Sequence, residues 1–341
     1  MKKIFFCFIL IFFILNSISY GNEISLKPEK TIKITDYAPY ASPMYYLPGK
    51  DLFIFGIKNG FIVFDRSGKL IKKYTPHSQS PGWIATAYNF LSTKNFYYVV
   101  GMFKIIKLDK NFNFIDEFGK SGSCGGAVNW INHDESFYCL TTFAGLEYHQ
   151  KSGIIIKRNK ELINRISENN LSHLFNAYIT WINYPNLYAI NEGNLQFYTI
   201  DLRSLSIKNS IKLPKPSNFS SSFENDKKID IGKDIKKYFE ETSGYGRVLA
   251  LKIDHKIICV VWELSGTGKK YLTLYSLPEK RILTQIKLEK NVETTYQKGT
   301  FHPFKPIFYD YDYIENEEEN DYGLIKVYNF KKIIRSFINA K

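Results

Sequence analysis

The feature that most constrains the fold is an internal repeat. Residues 128–140 and 179–190 both read as an apolar strand, the triplet Trp-Ile-Asn, a polar turn and an aromatic strand, with Trp130 and Trp181 in equivalent places. Residues 44–55, 84–100 and 247–261 are looser copies. Each copy is followed by a second hairpin, at 61–74, 104–118, 146–158, 196–213 and 272–288, and a last one begins at Leu324. The strands alternate apolar and polar positions, the period of a half-buried strand. Asp, Asn, Ser and Gly accept turn dihedrals at little cost and separate them.

Two hairpins in roughly 40–50 residues make one blade of a β-propeller. Such a unit cannot bury both of its faces alone, so successive units must stack on one another. Turn anchors at Asp65, Asp109, His149, Asp201, Leu277 and Asn329 mark the units. The expected fold is therefore all-β, a propeller of four-stranded antiparallel blades, six by this count, with five or seven still compatible with the period. Two stretches, 161–176 and 214–244, interrupt the repeat and read as short helical insertions. Residues 31–35 form a strand without a blade, and the last unit lacks a clean fourth strand, so pairing the two would close a ring. The tail, 331–341, is left as an extra strand or helix. Ala85, Ala87, Gly125, Gly126, Ala127, Ala177 and Ala250 fall in the strands expected nearest the axis, where space is short.

The N-terminus carries a different signal. Lys2 and Lys3 precede an unbroken apolar run from Ile4 to Leu15, followed by Ser19-Tyr20-Gly21. That is the order of an export signal over residues 1–21. A core of about twelve residues is short of the roughly 20 a membrane span needs, and an uncleaved anchor is the alternative. Residues 22–341 then form one propeller domain, periplasmic or extracellular, monomeric, with no further span. Nucleic acid is not an expected partner of an exported chain. The net charge is +13, but the lysines are scattered without a basic run, so composition accounts for it better than a clustered anion site does. Cys124, Cys139 and Cys259 do not make a disulfide framework, although one bridge, Cys124 to Cys139, is open alongside buried free thiols.

Catalytic patterns are missing from the sequence. The histidines form no zinc-ligand spacing, and there is no Gly-x-Ser-x-Gly elbow or phosphate loop. His133-Asp134-Glu135 reads as a hairpin turn, because the equivalent turn is Tyr184-Pro185-Asn186. The strongest acidic feature is Asp310-Tyr311-Asp312 with Glu315 to Asp321. Alternation on a strand puts Asp310 and Asp312 on one face, which makes them candidate oxygen ligands for Ca²⁺. Trp83, Trp130 and Trp181 are candidate ligand-stacking residues, or packing between blades.

The hairpin Phe64-Asp65-Arg66-Ser67-Gly68-Lys69 and its relatives resemble those of six-bladed propellers of the NHL-like and TolB-like kind. The resemblance covers nearly all of the chain after residue 21. It implies a fold and not an activity, since propellers serve as hydrolases, lyases, receptors and scaffolds. The expected function is a non-enzymatic binding or scaffold module that presents its loops (78–83, 161–176 and 214–244) to a protein or glycan partner. It would need no cofactor and no catalytic residue. The alternative is a Ca²⁺-dependent hydrolase or lactonase of the propeller type working through Asp310 and Asp312.

Overall fold

In a computed structural model of the chain, the residues described are 24–40, 43–78, 80–101, 104–118, 128–131, 137–143, 152–158, 161–168, 178–191, 193–204, 206–220, 244–289, 296–316 and 320–339. The proposed export signal, the His133-Asp134-Glu135 turn, the His149 anchor, Cys124 and residues 221–243 lie outside them.

The chain enters through β1 (Ile24–Leu26) and β2 (Lys30–Ile34). The first sheet is β3 (Met44–Leu47), β4 (Leu52–Ile57), β5 (Gly60–Asp65) and β6 (Leu70–Tyr74). The second is β7 (Ala87–Ser92), β8 (Tyr97–Gly101), β9 (Ile105–Leu108) and β10 (Phe114–Phe118). The third is β11 (Val128–Ile131), β12 (Phe137–Phe143), β13 (Ser152–Arg158) and β14 (Glu161–Glu168). The fourth is β15 (Tyr178–Asn183), β16 (Asn186–Asn191), β17 (Gln196–Asp201) and β18 (Ser206–Lys212). The fifth is β19 (Gly246–Asp254), β20 (Ile257–Leu264), β21 (Lys269–Ser276) and β22 (Arg281–Leu288), with β1 added in parallel along β22. The sixth is β23 (Tyr296–Phe301), β24 (Ile307–Ile314) and β25 (Tyr322–Asn329), completed by β2. One helix, α1 (Lys331–Asn339), follows and sets Ile334 against Phe330 and Phe301.

Within each sheet the consecutive strands form an antiparallel meander with the first strand at one edge; β1 lies outside β22 in the fifth sheet, and β2 supplies the outer strand of the sixth. Contacts between first strands run from β3 to β7 to β11, from β15 to β19 to β23, and from β23 back to β3, while β12 meets β15. The sheets therefore stand around an axis lined by their first strands, the arrangement of a β-propeller. Where their side chains are described, second and third strands are mostly buried on both faces because each sheet packs between two neighbours. Phe61 and Val63 pack toward the second sheet, and Ile62 and Phe64 toward the sixth. The expected closure is present: β2 pairs antiparallel with β25 from Lys30–Val327 to Ile34–Gly323, and Glu29 N donates to Val327 O at 2.8 Å.

The turns explain why the hairpins were legible. Asp65 Oδ1 accepts from Ser67 N at 2.8 Å and Lys69 N at 3.1 Å, and Asp109 Oδ1 accepts from Asn111 N and Asn113 N, both at 2.8 Å. The side chain supplies acceptors where the ladder ends. Gly68 closes the first of these turns at φ +90°, a conformation only glycine adopts freely, and a Cβ there would lie 2.2 Å from Lys33 O on β2.

One expectation fails. The stretch 161–176 is not a helical insertion where it is described: Glu161–Glu168 is β14, paired from Arg158–Glu161 to Ser152–Glu168. Its apolar residues, Leu162, Ile163 and Ile166, follow a helical spacing, but β13 offers a free row of backbone partners and takes the segment as a strand. The third sheet's second hairpin is thus 152–168 and not 146–158. Of the 214–244 insertion, residues 214–220 run as a loop that ends in a lone bridge from Ser220 to Tyr245.

Candidate functional site

A concavity lies on the axis. Its volume is about 770 Å³, and its wall comes from β3, β7, β15, β19 and β23 together with Pro303 and Phe304, which follow β23. Each inner strand is an edge strand of its sheet, so its edge borders this space and consecutive residues line it, as Ile179 to Asn183 do on β15. The side chains are aromatic and aliphatic, among them Tyr45, Trp181, Leu251 and Phe301, with Asn89, Thr180, Asn183 and Thr300 as the polar points. Among the described residues, none of the lining positions is Asp, Glu, His, Lys or Arg.

The rim is built from the turn after β23. His302 is buried, and its Nδ1 accepts from Phe304 N at 3.0 Å and Lys305 N at 3.1 Å. An Nδ1 that accepts twice requires the neutral ring with its proton on Nε2. Burial, reinforced by Lys305 and Lys252, holds its pKa at about 4. Behind the turn, the buried ammonium of Lys252 donates to His302 O at 3.0 Å and Pro303 O at 2.7 Å, and lies 4.4 Å from the centre of the Trp181 ring. Two carbonyls and an indole face thus replace the water this cation gave up. Burial lowers the Lys252 pKa, and Asp254 opposes the shift. On the other side, Tyr46 packs 5.0 Å from His302 and donates its hydroxyl to Asp51. The rigid turn holds Phe304 outward, 81% exposed.

No protein family matches the chain, and no curated protein matches it. Solved structures do. A protein of Bacteroides fragilis NCTC 9343 with a provisional designation as exported aligns over 89% of this chain and 99% of its own, at 13% identity and a TM-score of 0.55. A member of the DUF4221 family from Bacteroides vulgatus ATCC 8482 aligns over 90% of this chain and 98% of its own, at 11% identity and a TM-score of 0.57. This chain has the same fold as those proteins: a β-propeller. No helix among the described residues is long and apolar enough to cross a membrane.

The residues singled out from sequence separate in space. Trp181 lines the axial cavity. Trp130 lies on β11, an inner strand, and its side chain is outside the described set. Trp83 lies between β6 and β7, half-buried and away from the axis, with its Nε1 buried and unpartnered. Asp310 and Asp312 share one face of β24, as alternation requires, but that face is buried. Asp310 holds the Lys270 ammonium and Asp312 holds that of Lys326. Burial pushes Asp310 up to about 6, against the pull of Lys270. Asp321 accepts the Tyr313 hydroxyl and Asn316 N at 3.1 Å, so it shapes the turn after β24. Among the described residues, no group of three His, Cys, Asp or Glu is placed to hold a metal ion. Cys259 is a free, buried thiol whose pKa burial raises. Lys252 and His302 were missed; the available signal was a lysine within the apolar run Val248 to Ile253.

Proposed function

We propose that this protein is an exported, monomeric, non-enzymatic binding module. Its six sheets would be the blades of one ring of the NHL-like or TolB-like kind, and its axial cavity would receive an apolar or aromatic side chain of a protein partner. The observation that carries this reading is the cavity wall. It combines aromatic and aliphatic surface with uncharged polar groups and no described acid or base, a composition suited to binding. Phe304 at the rim adds an exposed aromatic anchor of the kind that dominates protein interfaces. The exported designation of the Bacteroides fragilis neighbour and the signal-like N-terminus support the location.

The test places a photo-crosslinking phenylalanine analogue at position 304 in cells that produce the protein. A discrete protein adduct is expected, lost with Trp181→Ala. The reading fails if no adduct forms, or if the adduct is indifferent to Trp181→Ala while the purified chain turns over ester or lactone substrates. A Ca²⁺-dependent hydrolase working through Asp310 and Asp312 ranks second, because both carboxylates would have to leave their lysines. It predicts a higher Tm in Ca²⁺ than in chelator, which the binding-module reading does not.

A further inference from the structure

A second concavity lies off the axis, at the end of the first sheet where β4 turns into β5. Tyr37 and Tyr40, from the crossing between β2 and β3, form one side, and Ile57, Lys58 and Lys73 form the other. It encloses about 280 Å³, room for one six-membered ring with its substituents. None of its lining residues is acidic.

Two large aromatic rings stay in water here: Tyr37 is 61% exposed and Tyr40 is 56% exposed. Both are held in place. Tyr37 sits at φ 54°, and the Lys73 ammonium lies 4.0 Å from its ring centre. Tyr40 stands edge-on to Tyr313, with centroids 5.1 Å apart and planes at 80°. Two oriented, exposed aromatics beside two exposed lysines combine apolar ring surface, phenolic hydroxyls and positive charge in one small hollow.

We propose that this pocket binds an acidic sugar residue of a polysaccharide, the pyranose ring lying against Tyr40 and Tyr37 and its carboxylate between Lys58 and Lys73. The exposed tyrosine rings distinguish a sugar ring from a bare phosphate, and a concave pocket of this size does not suit a membrane surface. The site is separate from the axial cavity, and the inference stands whether or not that cavity takes a protein.

The experiment is calorimetric titration of the full chain with trigalacturonate and with its methyl ester, which keeps the ring and removes the charge. Trigalacturonate is expected to bind, the ester about fivefold or more weakly, and Tyr40→Ala to weaken trigalacturonate by a similar factor. Lys58→Ala and Lys73→Ala should each weaken it about threefold, with the loss reproduced by added salt. Lys94→Ala/Lys256→Ala, at the opposite end of the sheets, is the control and should change nothing. Three results would overturn the proposal: no binding of trigalacturonate, equal binding of the ester, or a loss in the control equal to that in Lys58→Ala/Lys73→Ala. The last would reduce the effect to overall charge.

Discussion

Lysines are buried in two places in this propeller, and in two ways. At the seam between the fifth and sixth sheets, Lys270 and Lys326 each meet a carboxylate, Asp310 and Asp312. Behind the rim of the axial cavity, Lys252 is as deeply buried, but its ammonium is held by two backbone carbonyls and an indole. The seam pairs cancel their charge and join strands: Lys326 to Asp312 across β24 and β25, Lys270 to Asp310 across the two sheets. Lys252 instead donates to the carbonyls of a turn. The contrast separates a device that secures the ring from one that shapes a rim. A buried charge need not mark chemistry; the groups that satisfy it show what it organises.

The sharpest way to break the comparison is at the seam. Lys326→Ala leaves Asp312 buried without its cation, and Asp312 Oδ1 already lacks a partner. The expected loss is about 3–5 kcal/mol in a denaturant titration. Lys326→Met/Asp312→Leu should recover most of it, since neither charge then remains inside. Equal losses in the single and double variants would show that packing, and not charge, is what the pair supplies.

A smaller effect is expected at the rim, and it depends on pH. His302 is held at about 4, well below its unfolded value of 6.5, so the unfolded chain binds this proton first. Its contribution is complete above pH 6.5 and is lost as pH falls toward 4. Asp310, raised to about 6, runs the other way: its contribution is present below the unfolded value of 3.8 and lost as pH rises through 6. Comparing wild type with His302→Gln across this range cancels Asp310. The difference in stability should grow by up to about 3 kcal/mol between pH 4 and pH 6.5. A pH-independent difference would remove the neutral imidazole from the account of the rim.

The smallest expected effect is at Lys252. Lys252→Met keeps most of the volume and relieves the buried charge, but frees the carbonyls of His302 and Pro303. A net loss of about 1–2 kcal/mol is expected. Amide exchange should accelerate at Phe304 and Lys305, whose N–H groups donate to His302, and remain unchanged across β24 and β25. Uniform acceleration would mean that the lysine supports the sheet and not the turn.

The hairpins could be read from sequence because their causes are local. Asp65, Asp109 and Asp201 each bond the backbone two residues on, and the flanking strands alternate. β14 was misread because Leu162, Ile163 and Ile166 fit a helical spacing until β13 is beside them. At the candidate site, Trp181 was visible as a repeat position. Its partner Lys252 and the His302 turn were not, because they lie 50 and 51 residues apart in sequence and meet only once the ring is assembled. Asp310 and Asp312 drew attention as adjacent acids, and nothing local revealed the lysines opposite them.

The pairing of β2 with β25 also sets an order of events. β2 is the first strand of the sixth sheet to leave the ribosome, and its partner lies almost three hundred residues later. Closing so long a loop costs entropy that no neighbouring contact offsets in advance, and contacts of this separation slow folding. The early strand must therefore remain unpaired, an open edge, while every other sheet is made. A chain interrupted anywhere before β25 can build individual sheets but cannot shut the ring. Synthesis through β25 is thus written into the topology as a condition for reaching the closed state.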